Sequence, residues 1–175
     1  MKVTTVLAET LFAVVLIACG PQKTEPAETA TGRMPSKTEA TEKVLAAYER
    51  LRSQLANDEA VSAADFELLA EAARASSGAY SGEPMRHVAQ LVSSAESAAG
   101  KAGEGIAEAR DAFGEVSKDL ITLLADDPDL AKGRHVFECP MAKSYPKWVQ
   151  ESETISNPYM GPEMATCGVA SEWQP

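Results

Sequence analysis

Residues 106–125 read IAEARDAFGEVSKDLITLLA, and in them Ile106, Ala109, Phe113, Val116, Leu120 and Leu123 recur in alternating steps of three and four. That spacing keeps six apolar side chains on one stripe of a helix, as in helices that pack lengthwise against others. Asp126-Asp127-Pro128 ends the pattern, because proline has no N–H to give and disfavours helix in the residue before it. A helix with one apolar stripe must bury it. The fold therefore turns on what lies to either side.

Three more amphipathic segments lie upstream. Ser36-Lys37-Thr38-Glu39 fits a capping box, in which a hydroxyl and a carboxylate satisfy each other's orphan backbone donors. Behind it Val44, Ala47, Tyr48, Leu51 and Leu55 recur at helical spacing until Asn57-Asp58. Ser62-Ala63-Ala64-Asp65 starts a second helix, with Phe66, Leu69, Ala70 and Ala73 on one face and Ser76-Ser77-Gly78 at its end. Pro84 opens a third, where its missing N–H costs nothing, and Val88, Leu91, Val92 and Ala95 form the stripe. Residues 100–105 read as a loop. Four such helices with short connections predict an all-α, up-and-down bundle.

The stretch from His135 to Pro175 differs in kind. It holds five of the ten aromatics (Phe137, Tyr145, Trp148, Tyr159 and Trp173), together with Cys139, Cys167, Met141, Met160 and Met164. Such aromatic density predicts an ordered, irregular segment packed on the bundle. Residues 135–139 and 148–150 read as short strands, Asn157-Pro158 as a turn, and 161–168 as a single helical turn with proline at its start and glycine at its end.

At the other end, the apolar run Leu11–Ala18 is too short to cross a hydrocarbon core and has the size of a signal-peptide core. Leu16-Ile17-Ala18-Cys19 resembles the bacterial lipobox, which implies a signal peptide over 1–18 and lipidation of Cys19. Glu9 departs from the usual pattern. Residues 19–36 then form the lipidated cysteine and a flexible tether, rich in Pro, Thr, Glu and Gly, and 37–175 the domain. Gly20 in place of an acidic residue implies, by resemblance to lipoprotein sorting, delivery to the outer membrane, facing the periplasm.

The net charge is −10 with or without residues 1–18, which contain one basic and one acidic group. An acidic chain is repelled by phosphate backbones and anionic lipid heads, so no nucleic-acid partner is expected and the membrane is reached through the lipid anchor. No catalytic apparatus is legible either. There are two histidines, no Cys-x-x-Cys, and no serine in a nucleophile-like setting.

What remains is a constellation of sulfur. Pro140 imposes an extended backbone on Cys139, so that Cys139 and Met141 point to one side. On a helical turn, Met160, Met164 and Cys167 lie four and three residues apart, again on one face. Two thiols and up to three thioethers are thus expected to converge from two short arms. Soft donors of this type select Cu(I), and by the same logic Ag(I), over harder ions; zinc is less favoured.

The tail pattern Cys139-Pro140-Met141, Trp148 and Ile155-Ser156-Asn157-Pro158-Tyr159-x-Gly161-x-x-Met164-x-x-Cys167-Gly168 closely resembles a domain of unknown function in bacterial envelope proteins. That domain occurs alone or fused to the periplasmic adaptor subunits of copper/silver efflux pumps of the resistance-nodulation-division class. Residues 112–120 are similar to the family's last-helix pattern, and the resemblance covers roughly 37–168. It implies a helical domain tied to copper or silver handling, with an efflux adaptor as a possible partner and Cys139, Met141, Met164 and Cys167 as candidate ligands. Met160 stands where relatives carry an aromatic residue, and His87 falls near a histidine of similar relatives, so both are weaker candidates.

A different reading of the same residues stays open. Cys139 and Cys167 can form a disulfide in an oxidising compartment, contributing roughly 3 kcal/mol by loop closure. Met141 and Met164 then become core fillers, His87 a surface or core-edge histidine, and Trp148 and Tyr159 aromatic anchors. The protein on that reading is a stapled interaction module without metal.

Overall fold

A computed structural model of the protein describes residues 35–174. The expected signal peptide, Cys19 and most of the tether lie outside the described residues. Five helices follow in order: α1 Lys37–Ala56, α2 Ala63–Ser76, α3 Glu83–Lys101, α4 Ile106–Ala125 and a single turn, α5, Pro128–Ala131. Among the described residues no helix is long and apolar enough to cross a membrane.

Local chemistry fixes the helix ends. The Ser36 hydroxyl accepts from the Glu39 N–H at 3.2 Å, and the Glu39 carboxylate accepts from the Ser36 N–H at 2.7 Å; a cap of this kind stabilises by about 1 kcal/mol. At the other end of α1, Asp58 takes φ +56°, and the Glu59 N–H reaches back to the Gln54 carbonyl at 2.9 Å. That is a left-handed helix cap with aspartate in the place where glycine is commonest. In α2 the Asp65 carboxylate accepts from both the N–H and the hydroxyl of Ser62. Burial pushes the Asp65 carboxyl up, but those bonds, with Gln54 and Arg50 nearby, outweigh it and hold the group below its ordinary value.

The helices pack in sequence, α1 on α2, α2 on α3 and α3 on α4. His87 meets Asp126 at 3.0 Å and Ser94 faces Asp119, so α3 and α4 run antiparallel. Lys37 pairs with Asp127 at one end and Arg110 reaches the Leu55 carbonyl at the other, so α1 and α4 are antiparallel too. Leu51, Leu55, Phe66, Leu69, Leu91, Phe113, Leu120 and Leu124 are fully buried between them. The apolar stripe of α4 points where its spacing predicts, except Ile106, which is 37 % exposed at the helix start.

The all-α expectation needs a correction. The protein is mostly helical, but the tail carries a three-stranded antiparallel sheet of β1 His135–Glu138, β2 Lys147–Gln150 and β3 Val169–Ala170, in the order β2-β1-β3. β1 and β2 fall on the two expected short strands. β3 has only two residues, too few for any alternation to show. Two smaller readings also change: α3 runs through Gly100 and Lys101 before a 3-10 turn at Ala102–Glu104, and the helical turn in the tail is a 3-10 turn of three residues, Pro162–Met164.

β2 sits against α4, where Tyr48 of α1 and Phe113 of α4 also meet, their rings stacked 4.9 Å apart. The Tyr48 hydroxyl bonds Ser117 at 2.8 Å and accepts the Val149 N–H at 3.2 Å, tying two helices to the sheet through one oxygen. From Phe113 the aromatic packing runs to Tyr159, then Trp148, then Phe137. The tail aromatics are the second half of the core.

Candidate functional site

Cys139 leaves the end of β1. Its N–H donates to the Pro146 carbonyl at 2.9 Å, and its own carbonyl accepts the Ala142 N–H at 3.1 Å, closing a tight turn over Pro140 and Met141. The side chain is fully buried. Cys167 arrives from the other arm. β1 and β3 pair Phe137 with Ala170 and Glu138 with Val169; one more step of the antiparallel ladder sets Cys139 opposite Gly168 and beside Cys167.

Gly168 makes that approach possible. It has φ +153°, and a Cβ on it would stand 2.9 Å from the Trp148 ring and 3.2 Å from the Glu138 carbonyl. Asn157, fully buried, fixes the arm from behind. Its amide nitrogen donates to the Cys167 carbonyl, its amide oxygen accepts the Tyr159 N–H at 2.7 Å, and its own N–H donates to the Ala165 carbonyl at 2.8 Å. The result is two free thiols that the β1–β3 register sets side by side. Burial pushes the Cys167 thiol up, and the charge and hydrogen bond of Cys139 beside it add to the rise.

Two arginines bolt the stretch 156–161 to the bundle. Arg52, itself buried on α1, donates to the Ser156 carbonyl at 2.6 Å and is held by Glu49. Arg110 of α4 donates to the Pro158 carbonyl at 3.0 Å and to the Leu55 carbonyl at 2.9 Å, and pairs with Asp58. Gly161, at φ +69°, lies so close to this pair that a Cβ would stand 2.5 Å from the Asp58 carboxylate and 2.9 Å from Arg110. Buried Gln150 organises the preceding loop, donating to the Ser152 and Thr154 carbonyls and accepting from Trp148 and the Ser156 N–H. The residues Asn157, Tyr159, Gly161 and Gly168 of the tail pattern are thus the scaffold that presents Cys167.

Two of the methionines, one from each arm, share a cavity. Met141, 55 % exposed, and Met160 line one cavity of about 130 Å³ with Tyr159, Arg110, Asp111 and Lys143. Met160 lies outside the three-residue turn, and Met164, at its end, is 39 % exposed. His87 is not part of this arrangement. It pairs with Asp126 at the far end of α4, sixteen residues or about 24 Å along the helix from Arg110. His135 rests on Phe137 at the start of β1. Among the described residues no group of three or more His, Cys, Asp and Glu side chains converges.

Sequence reasoning missed Asn157, Arg52, Arg110 and Tyr48 as the parts that hold the site. The one signal available was an arginine bordering an apolar stripe, Arg52 beside Leu51 and Arg110 beside Ala109. Comparison with protein-family models, with curated proteins and with solved structures gave no match to this chain.

Proposed function

We propose that this protein is a non-enzymatic lipoprotein of the bacterial envelope that captures Cu(I) or Ag(I) on Cys139 and Cys167, buffering the ion or handing it to an efflux system. The observation that carries this reading is the placing of two free thiols, 28 residues apart in the chain, side by side from separate arms. Two thiolates side by side suit a soft monovalent ion, and binding releases their protons. Met141 and Met164, each an exposed residue in its own arm, would add a third or fourth soft donor. The family that the tail resembles, with its copper and silver efflux adaptors, supports the same ligand set, and the lipobox-like Leu16–Cys19 supports the anchor.

A second reading is favoured by one observation, the complete burial of Cys139. An ion must shed its water to reach that sulfur, whereas a disulfide needs no access. On this reading the chain is a stapled module that docks on an efflux adaptor or another envelope protein. The two are separated by anaerobic titration of reduced protein with Cu(I) against a chromogenic chelator. Competition at micromolar protein, lost in Cys139→Ser and Cys167→Ser, supports capture; no competition with both thiols free defeats it.

A further inference from the structure

We propose that Cys139 and Cys167 form a reversible dithiol–disulfide switch in which the part-exposed Cys167 exchanges with a small-molecule disulfide and the buried Cys139 closes the bridge. Three observations carry it. The β1–β3 register sets Cys139 beside Cys167, and both thiols are free. Their burial is unequal, Cys139 being fully covered and Cys167 reachable from solvent. Each arm is also fixed without help from a bridge, one by the β1–β2 pairing and the Cys139 turn, the other by Asn157 and the β1–β3 pairing. Neither arm therefore depends on a bridge to hold its place in the reduced protein.

The chemistry has a fixed order. Cys167 loses its proton and attacks one sulfur of an external disulfide; that S–S bond breaks, and one thiolate leaves and takes up a proton. Cys139, now facing a mixed disulfide, loses its proton and attacks the Cys167 sulfur, and the second thiolate leaves. Two protein thiols are oxidised to one disulfide, and one small disulfide is reduced to two thiols. Cys139 cannot come first, because nothing larger than its neighbour reaches it. If the pair also captures Cu(I), as proposed above, the bridged form has no thiolate to offer, so the switch sets whether the site is open.

The test uses the full chain and oxidised glutathione as the probe. Tryptic digestion without reductant places Cys139 in the peptide 135–143 and Cys167 in 148–175, separate from Cys19. The expected product is these two peptides joined, reversed by excess reduced glutathione. Cys139→Ser is expected to hold one glutathione on Cys167, and Cys167→Ser to leave Cys139 unmodified while the protein stays folded by circular dichroism. Should either variant fail to fold, brief exposure of the unmodified chain, acid-quenched and mapped, shows which cysteine takes the first glutathione. Glutathione on Cys139 first, or no joined peptides, overturns the switch. Chelator competition on reduced and bridged protein is read separately. Joined peptides with no Cu(I) uptake by the reduced form leave the switch standing and defeat metal capture; uptake without joined peptides does the reverse.

Discussion

The side-chain amide of Asn157 donates to the backbone carbonyl of Cys167, ten residues on, while its oxygen accepts the N–H of Tyr159. One buried residue thus sets both the arm that carries Cys167 and the backbone of Tyr159 in the aromatic core. Replacing it with aspartate keeps the acceptor for Tyr159 and removes the donor to Cys167. Asn157→Asp is therefore expected to weaken Cu(I) retention, and Asn157→Leu to cost about 2–3 kcal/mol in addition, since a buried N–H and carbonyl lose partners. Denaturant titration and chelator competition measure the two effects separately.

Gly114 lies on α4 under the loop between β1 and β2. Alanine is the better helix former by about 1 kcal/mol, yet its Cβ would stand 2.6 Å from the Ser144 hydroxyl and 2.9 Å from the Tyr145 backbone carbonyl. The serine can rotate away; the carbonyl cannot. Overpacking at about 1–3 kcal/mol is expected to win, so Gly114→Ala lowers the denaturation midpoint. A rise would mean that the loop moves freely off the helix.

Tyr48→Phe keeps the stack on Phe113 and deletes the hydroxyl shared by Ser117 and the Val149 N–H. Both partners are left buried. The expected loss is about 1–3 kcal/mol of unfolding free energy, with the helical circular dichroism unchanged before the transition.

Alkali should destabilise the reduced protein. Burial raises Cys167, Tyr80, Tyr48 and Tyr159, and raises Tyr145 to about 12. A raised folded value means that the native state keeps protons the unfolded chain gives up. Their stabilisation is complete below the ordinary thiol and phenol range and drains as pH rises through it. Tyrosinate absorbance is expected to appear together with the loss of helical signal; full ionisation in folded protein would contradict the burial of Tyr48 and Tyr159.

His87→Ala is expected to leave Cu(I) affinity unchanged, because its partner is Asp126 at the opposite end of α4 from Arg110 and the Met141 cavity. A clear loss of affinity would require a second site or a different course for α3.

The sequence by itself determined what depends on neighbours along the chain. The capping box at Ser36, the helix start at Ser62–Asp65, the helix end at Asn57–Asp58 and the stripe of α4 are settled within a turn or two of helix, where spacing and hydrogen-bonding chemistry act directly. Tertiary structure alone decided the two-residue strand β3, the cavity that Met141 and Met160 share, and the use of Asn157, Arg52 and Arg110 as clamps. Arg52 meets a carbonyl 104 residues away, and Arg110 one 48 away. Such contacts have no period and no local signature; they exist only once the core has brought distant backbone within reach of a side chain.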